Sequence, residues 1–403
     1  MKLLMIGESP LERVGTDYYA REPWVRIPQH MAARCERVTV WAPTIVRAPG
    51  QSPSPEYWRI EPSGLHINEN DNYSSFRGYY RLWPRRVWAW RRAADRLLRE
   101  HDAVLIRVPS PMLPLVVGRA TRQQRPVILF IVGDSATQSD QLIARRGLAR
   151  LAYGLLVRAV LRQELQAGRR AAAVYAWSSE IAQRHRRYHD TVTVMQDPHL
   201  SLKDFVHRTD TCQDAEVRLL RLCWLIPSKG LEYLLEAVAL LQARGIQARL
   251  EVVGKEREPG YLAALEQRAR DLGVGERVRF EPWVPFDRLG EVYARNDIQV
   301  VSSLAEGTPR CVIEGFARGL PLVCTAVGGC ADTLLHERDA LLVPPRDAGA
   351  LAGAVERMVH DGSLRRRLIQ EGYQRARSVT FEQVGVRLLA EIEAAVARKG
   401  PAR

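Results

Sequence analysis

Residues 305–329 read AEGTPRCVIEGFARGLPLVCTAVGG, and the order of residue types along this stretch decides the fold. Just before it, DIQVVS (297–302) is a short apolar run that ends in small polar residues, as a buried parallel strand does. A loop begins at Ser303. Thr308 suits an N-cap and Pro309 the first helical position, so a helix is predicted to start there and to run to Gly319, with Pro321 blocking its continuation. LPLVCT (320–325) is then the next strand, and Gly328-Gly329 the next tight turn. The product is a β-loop-α-β-loop unit with Glu306 at the carboxyl end of a strand, the edge at which open α/β sheets bind ligands.

Such an edge offers particular chemistry. Free N–H groups at a helix start favour a phosphate, and a glycine such as Gly307 lets a ligand approach the backbone closely. Glu306 in the loop and Glu314 in the first helical turns stand eight positions apart, and each carboxylate can accept hydrogen bonds from hydroxyls on either side of such a phosphate. For either glutamate alone, a solvated surface loop is the plain alternative.

Residues 303–332 resemble the donor-site signature of the large "group 1" family of retaining glycosyltransferases, with its pattern E-G-x-P-x-x-x-x-E, then G-x-P-V-V, then G-G. The resemblance implies an α/β chain of the GT-B fold, two doubly wound Rossmann-like domains facing each other across a cleft. It also implies sugar transfer from a nucleoside diphosphate with retention of configuration, the nucleotide sugar being a substrate and no cofactor being needed. In that reading Glu306 lies against the donor sugar, the backbone of Gly307, Thr308 and Pro309 lies near sugar and phosphate, and Glu314 meets the ribose.

Weaker similarity extends outward. Pro227-Ser228-Lys229-Gly230, followed by LEYLLEAVALL (231–241), resembles the family's second donor element, in which an arginine and a lysine five residues later grip the diphosphate. Lys229 fits, although a lysine at a helix start also has a purely structural reading. The arginine's place is taken by Trp224. Arg221 would face the other side of a strictly alternating strand and is a poor substitute, which leaves Arg310 as a candidate for the missing charge. By resemblance Gly254, in LEVVGKE (250–256), and Gly328-Gly329 line the donor site, and Trp283-Val284 lie near the nucleobase; turn and core roles are the alternatives.

A chain of 403 residues suits two domains better than one compact core. LLMIG (3–7), VTVWAP (38–43), AVLIRV (103–108), PVILFIV (126–132) and AVYAWS (173–178) alternate with helical stretches, as a doubly wound sheet requires. The expected division is an acceptor-binding domain over 1–195, a linker over 196–216, a nucleotide-sugar domain over 217–380, and a helix within 381–403 that, by resemblance, crosses back to the first domain. The net charge of +13 is unevenly spread: residues 1–200 carry 30 Lys and Arg against 18 Asp and Glu, whereas residues 201–403 carry 29 against 28. Arginines interleave with Tyr79, Tyr80, Trp83, Trp88 and Trp90 in 77–99, and with leucines in 143–170. Such interfacial helices suit an anionic membrane surface, the alternative being amphipathic helices with solvated basic faces. No helix-turn-helix, zinc spacing or aromatic β platform accompanies the charge, so nucleic acid is not expected as a partner. Without an apolar run near twenty residues or a leader-like amino terminus, the expectation is a cytoplasmic protein, peripheral on the inner membrane face. The six cysteines show no paired spacing and read as reduced core thiols.

The acceptor side is sparser. Only Gly15 stands in the loop after the first strand, where family members often carry two glycines. Val132-Gly133-Asp134 stands where many have a histidine. Asp134 orients or deprotonates an acceptor hydroxyl, or else caps the next helix; Glu8 and Asp17 are weaker candidates. No D-x-D pair follows an apolar strand, so no metal is expected. Three functions fit: a transferase acting on a lipid-linked or cell-surface glycan, one acting on a soluble small molecule, and a non-catalytic partner of another transferase.

Overall fold

The computed structural model describes residues 1–7, 9–21, 23–48, 50–54, 57–61, 64–71, 76–133, 148–177, 179–195, 198–284, 288–307 and 309–399. They form two compact units, Met1–His199 with Phe381–Arg403, and Leu200–Thr380.

The strands of the first unit are β1 (Lys2–Ile6), β2 (Leu11–Val14), β3 (Asp17–Ala20), β4 (Arg37–Val46), β5 (Trp58–Arg59), β6 (Leu65–Asn70), β7 (Ala103–Val108), β8 (Val127–Ile131), β9 (Ala173–Ala176) and β10 (Val192–Val194). β1 pairs in parallel with β4 on one side and β7 on the other, and β8, β9 and β10 follow outward from β7. Alternation divides β1 between two cores. Leu4 and Ile6 pack with Trp90, Ala94 and Leu98 of helix Phe76–Glu100 and with Val116 of helix Leu113–Arg122. Leu3 and Met5 pack with Ile27 and Met31 of helix Arg26–Ala32 and with Phe381, Leu388 and Ile392 of helix Phe381–Lys399. Each of those last three side chains is fully buried and contributes roughly 1.5–3 kcal/mol, so the C-terminal helix is an integral part of this unit.

Two features of this unit depart from the sequence reading. The stretch after β1 is an antiparallel hairpin, β2 with β3, whose two-residue turn places Gly15 at φ +60°, a left-handed value that glycine adopts without strain. And the aromatics of 77–99 divide between core and surface. Tyr79 stacks on Trp90 at 4.6 Å, Trp83 tilts against Trp90, and the Trp90 indole N–H donates to Asp71 at 2.9 Å. Only Trp88, 67% exposed, and Tyr80, 38% exposed, face outward. The second basic segment, 143–170, lies partly outside the described residues.

The second unit holds β11 (Val217–Leu222), β12 (Ala248–Val253), β13 (Val278–Glu281), β14 (Ile298–Val301), β15 (Leu322–Thr325) and β16 (Leu341–Val343), all parallel, in the order β13-β12-β11-β14-β15-β16. Helices Leu231–Ala243 and Ala348–His360 cover one face and Arg310–Ala317 the other, while Gly362–Ser378 joins both cores, through Leu364 and Leu368 in the first and Ala376 in the second. The order reverses between β11 and β14, so the loops leaving their carboxyl ends part to opposite faces and open a crevice there.

Residues 200–216, read as linker from sequence, belong to this unit. Leu200 is fully buried against Val312 and Phe316, and Ser201 and Asp204 form a reciprocal capping box. The Tyr373 hydroxyl accepts from the Arg208 N–H at 2.6 Å and donates to the Val206 carbonyl at 2.5 Å. Arg365 grips Asp210 bidentately at 2.6 and 3.1 Å.

Candidate donor site

Four side chains meet at the β11–β14 crevice. After β11 the chain makes a single 3-10 turn, Pro227–Lys229, and Gly230 follows at φ +59°. A Cβ on Gly230 would stand 2.3 Å from the Ser302 carbonyl, so glycine lets the two loops touch. Leu304 N–H donates to the Ser228 carbonyl at 2.8 Å, and Ser302 Oγ to the Lys229 carbonyl at 3.0 Å. This seam sets Lys229 opposite Glu306, whose Oε1 accepts from Lys229 Nζ at 2.8 Å and from Ser303 Oγ at 2.7 Å. Arg221, fully buried, donates from Nη2 to Ser303 Oγ at 2.6 Å and lies 3.6 Å from Glu306 Oε1. Two cations around one carboxylate leave the crevice net positive.

Arg221 therefore takes part in the cluster that alternation excluded it from. β11 ends at Leu222, so strand parity no longer relates Arg221 to Trp224, and Glu306 comes from the neighbouring strand's loop. Ser303 was not singled out in the sequence, although its place directly after an apolar strand and three residues before Glu306 was a usable signal. Tyr293, which the sequence did not mark either, offered no local signal.

The main chain around Glu306 is equally determined. Gly329 N–H donates to the Glu306 carbonyl at 3.0 Å, and a Cβ on Gly328, which sits at φ +46°, would come within 2.0 Å of that oxygen. These glycines are the first turn of a short helix, Gly328–Thr333, and not the tight turn expected. Pro309 is the N-cap and Arg310, exposed, the first helical residue, so helix Arg310–Ala317 starts one position later than the sequence suggested. Its free N–H groups and dipole face the loop that carries Gly307 and Glu306. Thr308 lies outside the described residues.

Glu314, 8% exposed, accepts at Oε2 from the Tyr293 hydroxyl at 2.8 Å. Burial, with that carboxylate beside it, raises the Tyr293 phenol well above its ordinary range, so it stays a donor. Burial likewise pushes the Cys311 thiol up to about 12 and raises that of Cys223, which keeps both thiols near Glu306 protonated at neutral pH. Gly254 follows β12 with its backbone against the Cys223 carbonyl. Val284 packs at the edge of the cluster of Leu220, Val253 and Val292, and Trp283 is 58% exposed. Trp224 is 39% exposed with the Arg257 guanidinium over its ring. On the acceptor side, Asp134 and Glu8 lie outside the described residues, Gly133 rests against Pro109, and Asp17 is paired with Arg59 at 2.8 Å on β3.

The six-stranded parallel sheet thus sets Lys229 and Arg221 around Glu306 at its strand-order reversal, the edge at which open α/β sheets bind ligands. Residues 219–375 match the family model described as glycosyl transferases group 1. That match lies within the second unit, Leu200–Thr380. The chain is 35% identical over 167 residues to the lipopolysaccharide core biosynthesis glycosyltransferase LpsE of Rhizobium meliloti, covering 41% of this chain and 46% of that protein. It is 32% identical over 175 residues to the mannosylfructose-phosphate synthase of Agrobacterium fabrum, covering 42% and 38%. The chain thus spans less than half the length of these curated relatives. Over 98% of its residues it superposes on the crystal structure of Anabaena Alr3699/HepE in complex with UDP, with a TM-score of 0.64 at 15% identity; that likeness gives the fold, GT-B.

Proposed function

We propose that this chain transfers a sugar from a nucleoside-diphosphate sugar to an acceptor hydroxyl, with retention of configuration and without a metal ion. The observation that carries the reading is the Lys229–Glu306–Ser303 cluster, backed by Arg221, at the strand-order reversal beside the start of helix Arg310–Ala317. A diphosphate brings two or more negative charges to a crevice that holds one carboxylate and two cations. Lys229 would then share its N–H donors between Glu306 and phosphate, while the helix start supplies backbone donors. As the bond from the sugar's anomeric carbon to the phosphate oxygen breaks, charge grows on that oxygen, and donors already in place stabilise it without reorganising. The acceptor oxygen bonds to the anomeric carbon from the same face and gives its proton to the departing phosphate. Glu306 orients sugar hydroxyls, Glu314 the ribose, and Asp134 the acceptor.

The acceptor we propose is a lipid-linked or cell-surface glycan met at the inner face of the cytoplasmic membrane, as the basic first unit and the likeness to LpsE favour. Among the described residues no helix is long and apolar enough to cross a membrane. The likeness to mannosylfructose-phosphate synthase favours instead a soluble sugar acceptor of the same enzyme class. Trp224, where the family's arginine is expected, favours a non-catalytic partner. A panel of UDP-, GDP-, ADP- and dTDP-sugars, followed by thermal shift and by release of free nucleoside diphosphate, separates these. One donor is expected to raise the melting temperature. Lys229→Ala and Glu306→Gln are expected to lower turnover by about 100-fold or more; normal turnover in both would sink the assignment, and binding without turnover would select the partner role.

A further inference from the structure

We infer that Arg257, held over the face of Trp224, is a further cation of the diphosphate subsite; the inference rests on the donor-site reading above. β11 and β12 end side by side, at Leu222 and Val253, and the chain beyond them stays paired. Leu225 N–H donates to the Lys255 carbonyl at 3.0 Å and Arg257 N–H to the Leu225 carbonyl at 3.3 Å. Gly254 permits this approach, because a Cβ there would stand 1.7 Å from the Cys223 carbonyl. The pairing brings the guanidinium carbon of Arg257 to 3.7 Å from the centre of the Trp224 ring.

That geometry leaves a cation fixed and unspent. A guanidinium lying over an aromatic face keeps its edge N–H groups available, in the fork that matches two phosphate oxygens. Lys229 is engaged by Glu306 at 2.8 Å, and Arg221 is sealed in the core. Arg257 is exposed and, among the described residues, pairs with no carboxylate. Trp224 stands five residues before Lys229 in the same loop, and Cys223 beside it lies within electrostatic reach of both Lys229 and Glu306. The tryptophan at 224 thus moves the expected positive charge to residue 257 and supplies the ring that holds it.

Calorimetric titration of the full chain with UDP, GDP, ADP and dTDP, and with the monophosphate of whichever diphosphate binds, tests the assignment. Arg257→Ala is expected to weaken the diphosphate about 10- to 100-fold and the monophosphate much less. Arg257→Lys, which keeps the charge and loses the planar fork, should fall between, as should Trp224→Leu, which frees the guanidinium. The exposed position makes Arg257→Ala safe for the fold, and its unliganded melting temperature should equal that of the wild type. A diphosphate affinity within about twofold of wild type in Arg257→Ala, or equal losses for diphosphate and monophosphate, overturns the inference alone. A wild-type chain that binds none of the four diphosphates overturns the donor-site reading and this inference with it.

Discussion

Arg221 shows what a single buried residue can be kept for. β11 reads VRLLRL, and Arg221 occupies an interior position where its neighbours Leu219 and Leu220 are fully buried. Its Nη2 reaches Ser303, yet Nε and Nη1 have no partner among the described residues. Buried donors left unpaired cost about 1–3 kcal/mol, so the guanidinium is a poor choice for stability. Arg221→Met should therefore leave the unliganded melting temperature unchanged or raise it, because Glu306 keeps Lys229 and Ser303 and no carboxylate is stranded. The same change should weaken nucleotide-diphosphate binding about tenfold through loss of positive potential in the crevice. A melting temperature several degrees lower, with binding intact, would make Arg221 a structural residue. Much of this site was legible because its chemistry is local: Glu306, Glu314 and Lys229 sit at fixed spacings from strand ends and glycines. Arg221 and Tyr293 were not, because each acquires its partner from a loop or helix that sequence spacing does not bring near; Ser303, three residues before Glu306, carried a signal that was passed over.

The same division holds for whole elements. β7 and β8 are buried at every position, and their unbroken apolar runs could be read directly. β5, β6 and β10 lie at the margins of the sheet and mix polar with apolar residues, so no unbroken apolar run announces them. Residues 200–216 were misread for a related reason: several of their anchors are side chains of helix Gly362–Ser378, some 155 to 167 positions away. Asp210 tests how much such an anchor contributes. Burial alone would raise its carboxyl pKa, but the Arg365 guanidinium and the Thr211 N–H outweigh that and hold it below the usual 3.8. A lowered folded pKa means that the pair stabilises fully above about pH 4 and loses its contribution as pH falls through the lowered value. Asp210→Asn should thus cost about 2–3 kcal/mol near neutrality, and the gap to wild type should close progressively below about pH 4. Urea unfolding across that range reads it out; a gap independent of pH would assign the loss to something other than the ion pair.

At the scale of the molecule, the uneven charge has a structural form. Arg81, Arg85, Trp88, Arg92, Arg96 and Arg99 recur at spacings of three and four along helix Phe76–Glu100, and all six are exposed. At about 100° per residue these positions fall within one narrow stripe. Among the described residues none of the five arginines pairs with a carboxylate; Arg96 meets only the Asn68 side-chain oxygen, at 3.4 Å. With Tyr79, Trp83 and Trp90 turned inward, the membrane-surface reading rests on this stripe and on Trp88, not on an aromatic belt. Each arginine near an anionic leaflet contributes about 1 kcal/mol, and salt beyond a Debye length of about 10 Å screens it. The chain should therefore sediment with phosphatidylglycerol-rich vesicles at about 0.05 M salt and be released by about 0.5 M. Replacing Arg81, Arg85, Arg92 and Arg96 by glutamine should weaken that partition by about 100-fold or more. The nucleotide thermal shift should survive unchanged, because Lys229, Glu306 and Arg257 belong to the second unit. Vesicle binding that the fourfold variant retains would remove the stripe from the argument, and a wild-type chain that ignores anionic vesicles would move the acceptor to the soluble sugars.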